Sequence, residues 1–240
     1  MSSERSGKLR APGFVLHTLP WRETSLLVEV LTRDHGRLAL MARGARRPRS
    51  TVRGVLRAFQ PLELEWFGKN ELRTLSNADW GDWQALLGGH ALYCGLYLNE
   101  LLLRLVARDD PHPFLYDAYA QTLNDLSKGH PEEMVLRRFE LTLLKEIGYG
   151  LQLDREVGEG NAVQAESFYV FDPQMGPRIA DRRTNAVQFS GRALLAMAAD
   201  DWSDPVTIAQ AKVLMRQVLA FHLGNQDLHT RALFKEIALP

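Results

Sequence analysis

Apolar and polar positions alternate along the first third of the chain. Phe14 and Leu16, with Val15 and Leu19, mark a first strand that Trp21 to Glu23 turn. Thr24 to Thr32 (TSLLVEVLT) reads as a second, and Asp34-His35-Gly36 as the hairpin turn into a third, Arg37 to Ala42. Phe59 to Phe67 and, past a Gly68-Lys69-Asn70 turn, Glu71 to Ser76 complete the set. Five short antiparallel strands with turn signals between them predict a five-stranded β-barrel of the OB-fold type. Residues 1–12, polar and basic, are expected to form a disordered leader.

From Asp82 the period becomes helical. Trp83, Leu86, Leu87, His90, Cys94, Tyr97, Leu98, Leu101 and Leu105 recur at three and four, with Leu92, Leu96, Leu102 and Leu103 adding apolar surface on the other side, which predicts one long, mostly buried helix. Pro113 to Ser127 and Glu132 to Ile147 follow as helices, ended by Gly129 and Gly148. On the second of these, Leu136, Phe139, Leu143 and Ile147 face inward, while Glu133, Arg137, Arg138, Glu140 and Lys145 face outward. Residues 151–185 are broken by glycine and proline, with a short hairpin between Phe168 to Phe171 and Ile179. Gly191 to Ala199 is helical again, and Asp204-Pro205 opens a further helix with a carboxylate cap and proline at the first position. A last short helix, Thr230 to Ile237, closes the chain. The expected class is therefore a multidomain α+β protein: an OB-fold nucleic-acid-binding domain over residues 1–80, then an all-helical C-terminal domain over 81–240 with an irregular insert at 151–185.

Charge changes this picture at one place. The stretch Leu38 to Arg57 (LALMARGARRPRSTVRGVLR) carries Arg43, Arg46, Arg47, Arg49, Arg53 and Arg57 without a carboxylate, between two apolar strands. Gly44, Pro48 and Gly54 break regular structure there, and Ser50 and Thr51 offer hydroxyls, so the segment suits gripping a polyanion. A solvated loop is the alternative. The chain as a whole is neutral, with 29 basic and 29 acidic residues, yet residues 1–80 hold fourteen basic against eight acidic and the remainder fifteen against twenty-one. The N-terminal part is thus the one expected to meet an anionic partner.

The other chemistry is sparse. A lone Cys94 excludes an intramolecular disulfide and every multi-cysteine zinc site, as a reducing cytoplasm would leave it. Residues 1–13 lack the apolar core of a secretory signal, and Gly95 to Ala107 is too short and too polar to span a bilayer. His90 and Cys94 lie one turn apart, a spacing metal ligands use, but with no third ligand near in sequence Cys94 reads better as a small buried hydrophobe. Gly158-Glu159-Gly160 lacks the third glycine of a dinucleotide loop; Walker, nucleophile-elbow and helical zinc-protease patterns are missing. A binding protein is expected, with no catalytic residue, cofactor or metal.

Several spaced motifs then agree in order. Trp21-Arg22-Glu23-Thr24-Ser25, Leu31-Thr32 with Gly36-Arg37, and Ala42-Arg43-Gly44-Ala45-Arg46 followed by Arg49-Ser50-Thr51 resemble the N-terminal domain of the RecO family of bacterial recombination mediators. Leu96-Tyr97-Leu98-Asn99-Glu100-Leu101-Leu102, Leu136-Arg137-Arg138-Phe139-Glu140 with Gly148-Tyr149-Gly150, and Leu223-Gly224 to His229-Thr230-Arg231 resemble its helical domain. The resemblance implies an OB-fold followed by a helical domain, binding of single- and double-stranded DNA, strand annealing, and RecA loading in recombinational DNA repair. It further implies partnership with RecR and with the acidic tail of single-strand-binding protein, and a cytoplasmic, nucleoid-associated location. Many relatives carry a four-cysteine zinc module after the Gly-Tyr-Gly position. Residues 151–185 have no cysteine, so the chain resembles the zinc-free branch. His229-Thr230-Arg231 stands where Lys-Ser-Arg is usual.

On this reading Arg43, Arg46, Arg47, Arg49 and Arg53, with Arg37, hold phosphates, and Trp21 or Trp66 stacks on bases, with a place in the barrel core the alternative for both. Arg137 and Arg138, adjacent and outward on their helix, are the candidates for the partner tail; pairing with Glu133 or Glu140 is the plainer alternative. An RNA-binding barrel, or a protein adaptor built on the helical domain, remain the other functions compatible with these residues.

Overall fold

The computed structural model describes residues 7–82, 85–158, 160–181, 184–224 and 226–230, in two compact units. The first runs up to His130 and takes in residues 228–230; the second covers Pro131–Asp227.

In the first unit, strands β1 (Leu9–Trp21), β2 (Ser25–Thr32), β3 (Gly36–Ala42), β4 (Pro61–Phe67) and β5 (Leu72–Trp80) close a barrel in the order β1-β2-β3-β5-β4. Four of the pairings are antiparallel, but β3 and β5 run parallel through Ala39–Leu72, Leu40–Arg73 and Met41–Thr74. This corrects the all-antiparallel expectation. Strand direction cannot alternate all the way round a ring with an odd number of strands, so one pair must be parallel. Strand β1 starts at Leu9, inside the stretch expected to be a leader. Its first half pairs with β4, and Arg10 is tied to Glu63 at 3.2 Å. A bulge between Val15 and His17 then bends β1, leaving its second half to pair with β2 as far as Trp21–Ser25.

The barrel interior is filled from alternate positions: Val28 and Val30, Leu38 and Leu40, Leu62, Leu64 and Trp66. The connection from β3 to β4 contributes Ala45 and Leu56 to this cluster, with Val52 and Val55 of the one-turn helix α1 (Val52–Val55) packed against it. The β3–β4 connection therefore plugs the barrel.

Alternation fails on β2 and β3 because their outer face is buried too. Helices α2 (Gly89–Leu105) and α3 (Pro113–Ser127) pack on the neighbouring β1, and the segment after α2 reaches β2 and β3. Phe14 meets Tyr116 and Tyr119 at ring separations of 5.3 and 5.2 Å, and Asn99 Nδ2 donates to the Leu16 carbonyl at 2.8 Å. Helix α2 is shorter than its apolar stripe predicted: Gly89 stands at its first position with a left-handed φ of +54°, and residues 85–88 before it are not helical. At the other end, Gly36 sits against the backbone of Asp110, where a Cβ would fall 2.2 Å from the carbonyl oxygen. Between these contacts lies a buried charge cluster. Glu29 accepts from Arg37 Nη1 at 2.9 Å and from Arg108, while Arg37 Nε donates to the Val106 carbonyl at 2.9 Å.

Glu100 on α2 organises a second junction. Its carboxylate accepts from the N–H groups of His229 and Thr230 at 2.8 and 2.9 Å, from the Thr230 hydroxyl at 2.7 Å, and from Arg104 at 2.7 Å. The rest of the closing helix expected over Thr230 to Ile237 lies outside the described residues.

The second unit holds α4 (Glu132–Glu146), α5 (Gly191–Ala198) and α6 (Pro205–His222), the last capped by Asp204, which accepts from the Val206 N–H at 2.8 Å. Between α4 and α5 runs a small antiparallel sheet of β6 (Phe168–Asp172), β7 (Gly176–Ile179) and β8 (Gln188–Ser190), in the order β7-β6-β8, with Tyr169, Phe171 and Phe189 buried. The expected hairpin is there. The third strand was not expected, and it makes this region mixed rather than all-helical.

Two outcomes follow from the charge placements. Glu29→Ala strands the guanidinium of Arg37 in a buried site and is expected to cost about 3 kcal/mol of unfolding free energy, measured by urea denaturation. For Glu100, burial by itself raises the carboxyl. The His229 and Thr230 donors and Arg104 outweigh it and hold the group below its ordinary value of 4.5. A depressed carboxyl contributes stability that is complete above the unfolded pKa and is lost as pH falls through the folded one. The stability difference between the parent and Glu100→Gln should accordingly be complete at pH 7, begin to fall as pH drops below the ordinary 4.5, and be lost only below the lowered folded pKa.

Candidate nucleic-acid interface

The arginine stretch leaves β3 at Ala42 and returns to the barrel at β4. Gly44, at φ +69°, makes the first bend, and hydrogen bonds from the Arg47 N–H to the Gly44 carbonyl and from Ser50 to Arg47, both at 3.0 Å, fold it into consecutive turns. Beneath the turns Ala45 and Leu56 are buried. Above them Arg43, Arg46, Arg47, Arg49, Arg53 and Arg57 are all exposed, and none forms an ion pair with a described residue. The segment is thus an anchored loop: its apolar residues hold it to the barrel, and its arginines face solvent.

A second element joins it. Because Leu26 of β2 pairs with Ala42 of β3, the β1–β2 hairpin tip and the arginine loop leave the barrel at the same end. The Arg46 N–H donates to the Thr24 carbonyl at 2.9 Å, and Arg46 Nη1 to the Arg22 carbonyl at 3.0 Å. Trp21, 42% exposed, stands at the base of that hairpin. The structure therefore brings together Trp21 and the loop arginines and adds Arg22, an exposed cation that the sequence reading took only as part of a turn. Its signal was the Trp-Arg-Glu-Thr-Ser motif. Glu23 is exposed at the same tip, the nearest carboxylate in sequence.

Two candidates leave the set. Arg37 is held by Glu29 and the Val106 carbonyl with only 14% of its side chain exposed, so it ties the barrel to the segment after α2 and is not free to grip phosphate. Trp66 has no exposed surface and its ring packs edge-on against His35 at 5.2 Å, which makes it core. The β2–β3 face through which OB barrels often take ligands is largely buried, with residues 106–110 after α2 against it. The end of the barrel that carries the loop and the hairpin is open.

In the second unit the expected pair of outward arginines is split. Arg137 is buried and bonded to Glu140 at 2.7 Å, and Glu140 itself has no exposed surface. Helix α4 buries this ion pair on a flank that was expected to face water. Arg138 is exposed, with Nε 2.9 Å from Asp200. Elsewhere in this unit Tyr149, Phe221 and His222 line a groove with Gly148, Gly150, Pro173 and Gln174. Tyr149 and His222 stack at 4.3 Å, and burial pushes the His222 imidazole below its ordinary pKa. In the first unit Cys94 is buried, with Sγ 3.9 Å from His90 Nδ1.

Two family models match the chain: Recombination protein O N terminal over residues 6–82 and Recombination protein O C terminal over residues 87–232. Helices α2 and α3 fall in the second match, although they pack in one unit with the barrel. The DNA repair protein RecO of an Azoarcus species is 52% identical over 228 residues, spanning 93% of this chain and 94% of that one. The protein of the same name from Aromatoleum aromaticum is 51% identical over 227 residues, spanning 94% and 95%. That from Burkholderia pseudomallei is 50% identical over 228 residues, spanning 94% of this chain and 82% of its own. With both segments of the family matched in order around a closed five-stranded barrel, the chain belongs to the RecO family of DNA repair proteins.

Proposed function

We propose that this chain is a DNA-binding recombination mediator. It binds single- and double-stranded DNA at the arginine loop, anneals complementary strands, and helps RecA load on strands coated by single-strand-binding protein. RecR and the acidic tail of that protein are its partners, in the cytoplasm at the nucleoid. The observation that supports the reading best is the loop itself, with six exposed arginines and no ion pair to a described residue.

Arginine pairs well with phosphate because its planar fork donates two parallel hydrogen bonds, and each contact releases a counterion from the strand. Neutralising phosphates on both of two complementary strands lowers the repulsion that slows their pairing, provided the bases stay accessible. Stacking on an exposed indole such as Trp21 holds a base without covering its pairing edge. Annealing by this route needs no hydrolysis.

If about four phosphates are neutralised on a single strand, the log–log salt slope is near −3, or about fiftyfold weaker binding between 50 and 200 mM salt. Arg47→Ala with Arg49→Ala should bring the slope to about −1.4 and slow annealing in parallel. Unchanged slope and affinity would move the site elsewhere. Tighter binding of RNA than of DNA strands of equal length, in direct competition, would favour an RNA-binding function instead.

For the partner tail, Arg138 is the remaining candidate. A peptide ending in an acidic run and phenylalanine should bind with micromolar affinity and weaken with salt, and Arg138→Ala should weaken it severalfold in fluorescence anisotropy. Equal binding by the variant would remove Arg138 from the site, and no binding by the parent would remove the partner.

A further inference from the structure

Among the six loop arginines, Arg46 alone has its guanidinium hydrogen-bonded within the described protein. Both of its bonds reach the same target. The backbone N–H goes to Thr24 and Nη1 to Arg22, two carbonyls of one hairpin tip. That tip is under conformational tension, since Arg22 is a non-glycine residue at φ +50°, in the left-handed region. The backbone there has few other holds, because the β1–β2 ladder ends at Trp21–Ser25. A guanidinium bonded to the carbonyl of the strained residue fixes the Arg22–Glu23 peptide, one residue beyond Trp21.

We propose that Arg46 is a positioning residue: it clamps the Trp21–Thr24 hairpin to the arginine loop, so that the indole and the remaining guanidinium groups line one groove that takes a single strand by base and backbone together. The proposal rests on the arginine loop being the DNA site. It assigns Arg46 a different part from Arg47 and Arg49. Those two act through charge, whereas Arg46 acts through Trp21. A strand held this way has one base stacked beside a phosphate already gripped, and the two contacts support each other only while the hairpin keeps its place.

A double-mutant cycle separates the two parts. Affinity for a labelled thirty-residue oligothymidylate is measured by anisotropy for the parent, Trp21→Ala, Arg46→Met and the double variant; methionine keeps an unbranched stem and removes every donor. Each single change is expected to weaken binding about tenfold. The double variant should be no more than about threefold weaker than either single one, where independent contacts would multiply to about a hundredfold. Arg46→Met should also keep most of the parent salt slope, whereas Arg47→Ala lowers it by about 0.7. Multiplying effects, or a slope lowered by Arg46→Met as much as by Arg47→Ala, would overturn the proposal and make Arg46 another phosphate contact. If Arg47→Ala with Arg49→Ala leaves affinity and slope unmoved, the loop is not the DNA site and the proposal falls with that reading. Thermal unfolding of Arg46→Met at the parent temperature shows that the readout comes from a folded barrel.

Discussion

Five strands closed into a ring cannot all be antiparallel, and this constraint generates the surface on which function is proposed. The single parallel pair is β3 with β5, and β4 lies beyond β5 in the ring. A chain leaving β3 must therefore pass β5 before it can enter β4, a crossing too long for a tight turn. Residues 43–60 make that crossing over the end of the barrel. One side of the connection must fill the opening, which Ala45, Val52, Val55 and Leu56 do. The other side is left to solvent, and every residue that carries charge there is an arginine. A loop carrying so many like charges would be a poor anchor on its own. Here the apolar side holds it in place, and the cations need only be solvated.

The same end of the barrel is left open because the opposite choice has been made on the β2–β3 face. Glu29, Leu31 and Ala39 are buried there, with Arg108 of the segment after α2 bonded to Glu29. The Glu29 cluster is costly to desolvate, but with two arginines and a backbone carbonyl around it the charges are compensated within the site. Its geometry fixes where the helices sit on the barrel more narrowly than apolar packing would, since apolar surfaces can slide and an ion pair with a defined fork cannot.

How much of this was readable from the chain depends on whether the relevant partner is near in sequence. The five strands, α3 and the Asp204 cap were readable because period and capping are local signals. Trp66, put forward for base stacking, was open to the same local reading: it continues the register of Leu62 and Leu64, and position parity places it inward. Arg37 was not, because its burial depends on Glu29 across a strand pair and on Val106 beyond the barrel. Arg137 was misplaced for a related reason. A helical wheel assigns charge to the wet side; the pairing with Glu140 was open to view at i,i+3, but only the structure shows that the pair is buried. Strand β8 is three residues long and carries no period of its own; it exists because β6 has an edge to offer. The hairpin–loop contact is likewise a meeting of Arg46 with Arg22, 24 positions apart, that no local pattern announces.

Neutral net charge is no obstacle to a polyanion site if the acids are kept away from it. On β4 and β5, Glu63 and Asp79 are direct neighbours across the ladder, an arrangement that repels unless cations intervene. Arg10 reaches Glu63 at 3.2 Å and Lys8 reaches Glu65 at 3.9 Å, both from β1 or just before it. Glu29 is taken by Arg37 and Arg108. Several of the barrel's carboxylates are thus matched locally, while the loop arginines are left unmatched at the barrel end. Screening confines each exposed charge to about 10 Å at moderate salt, so a strand approaching the loop meets its arginines rather than the average of the molecule.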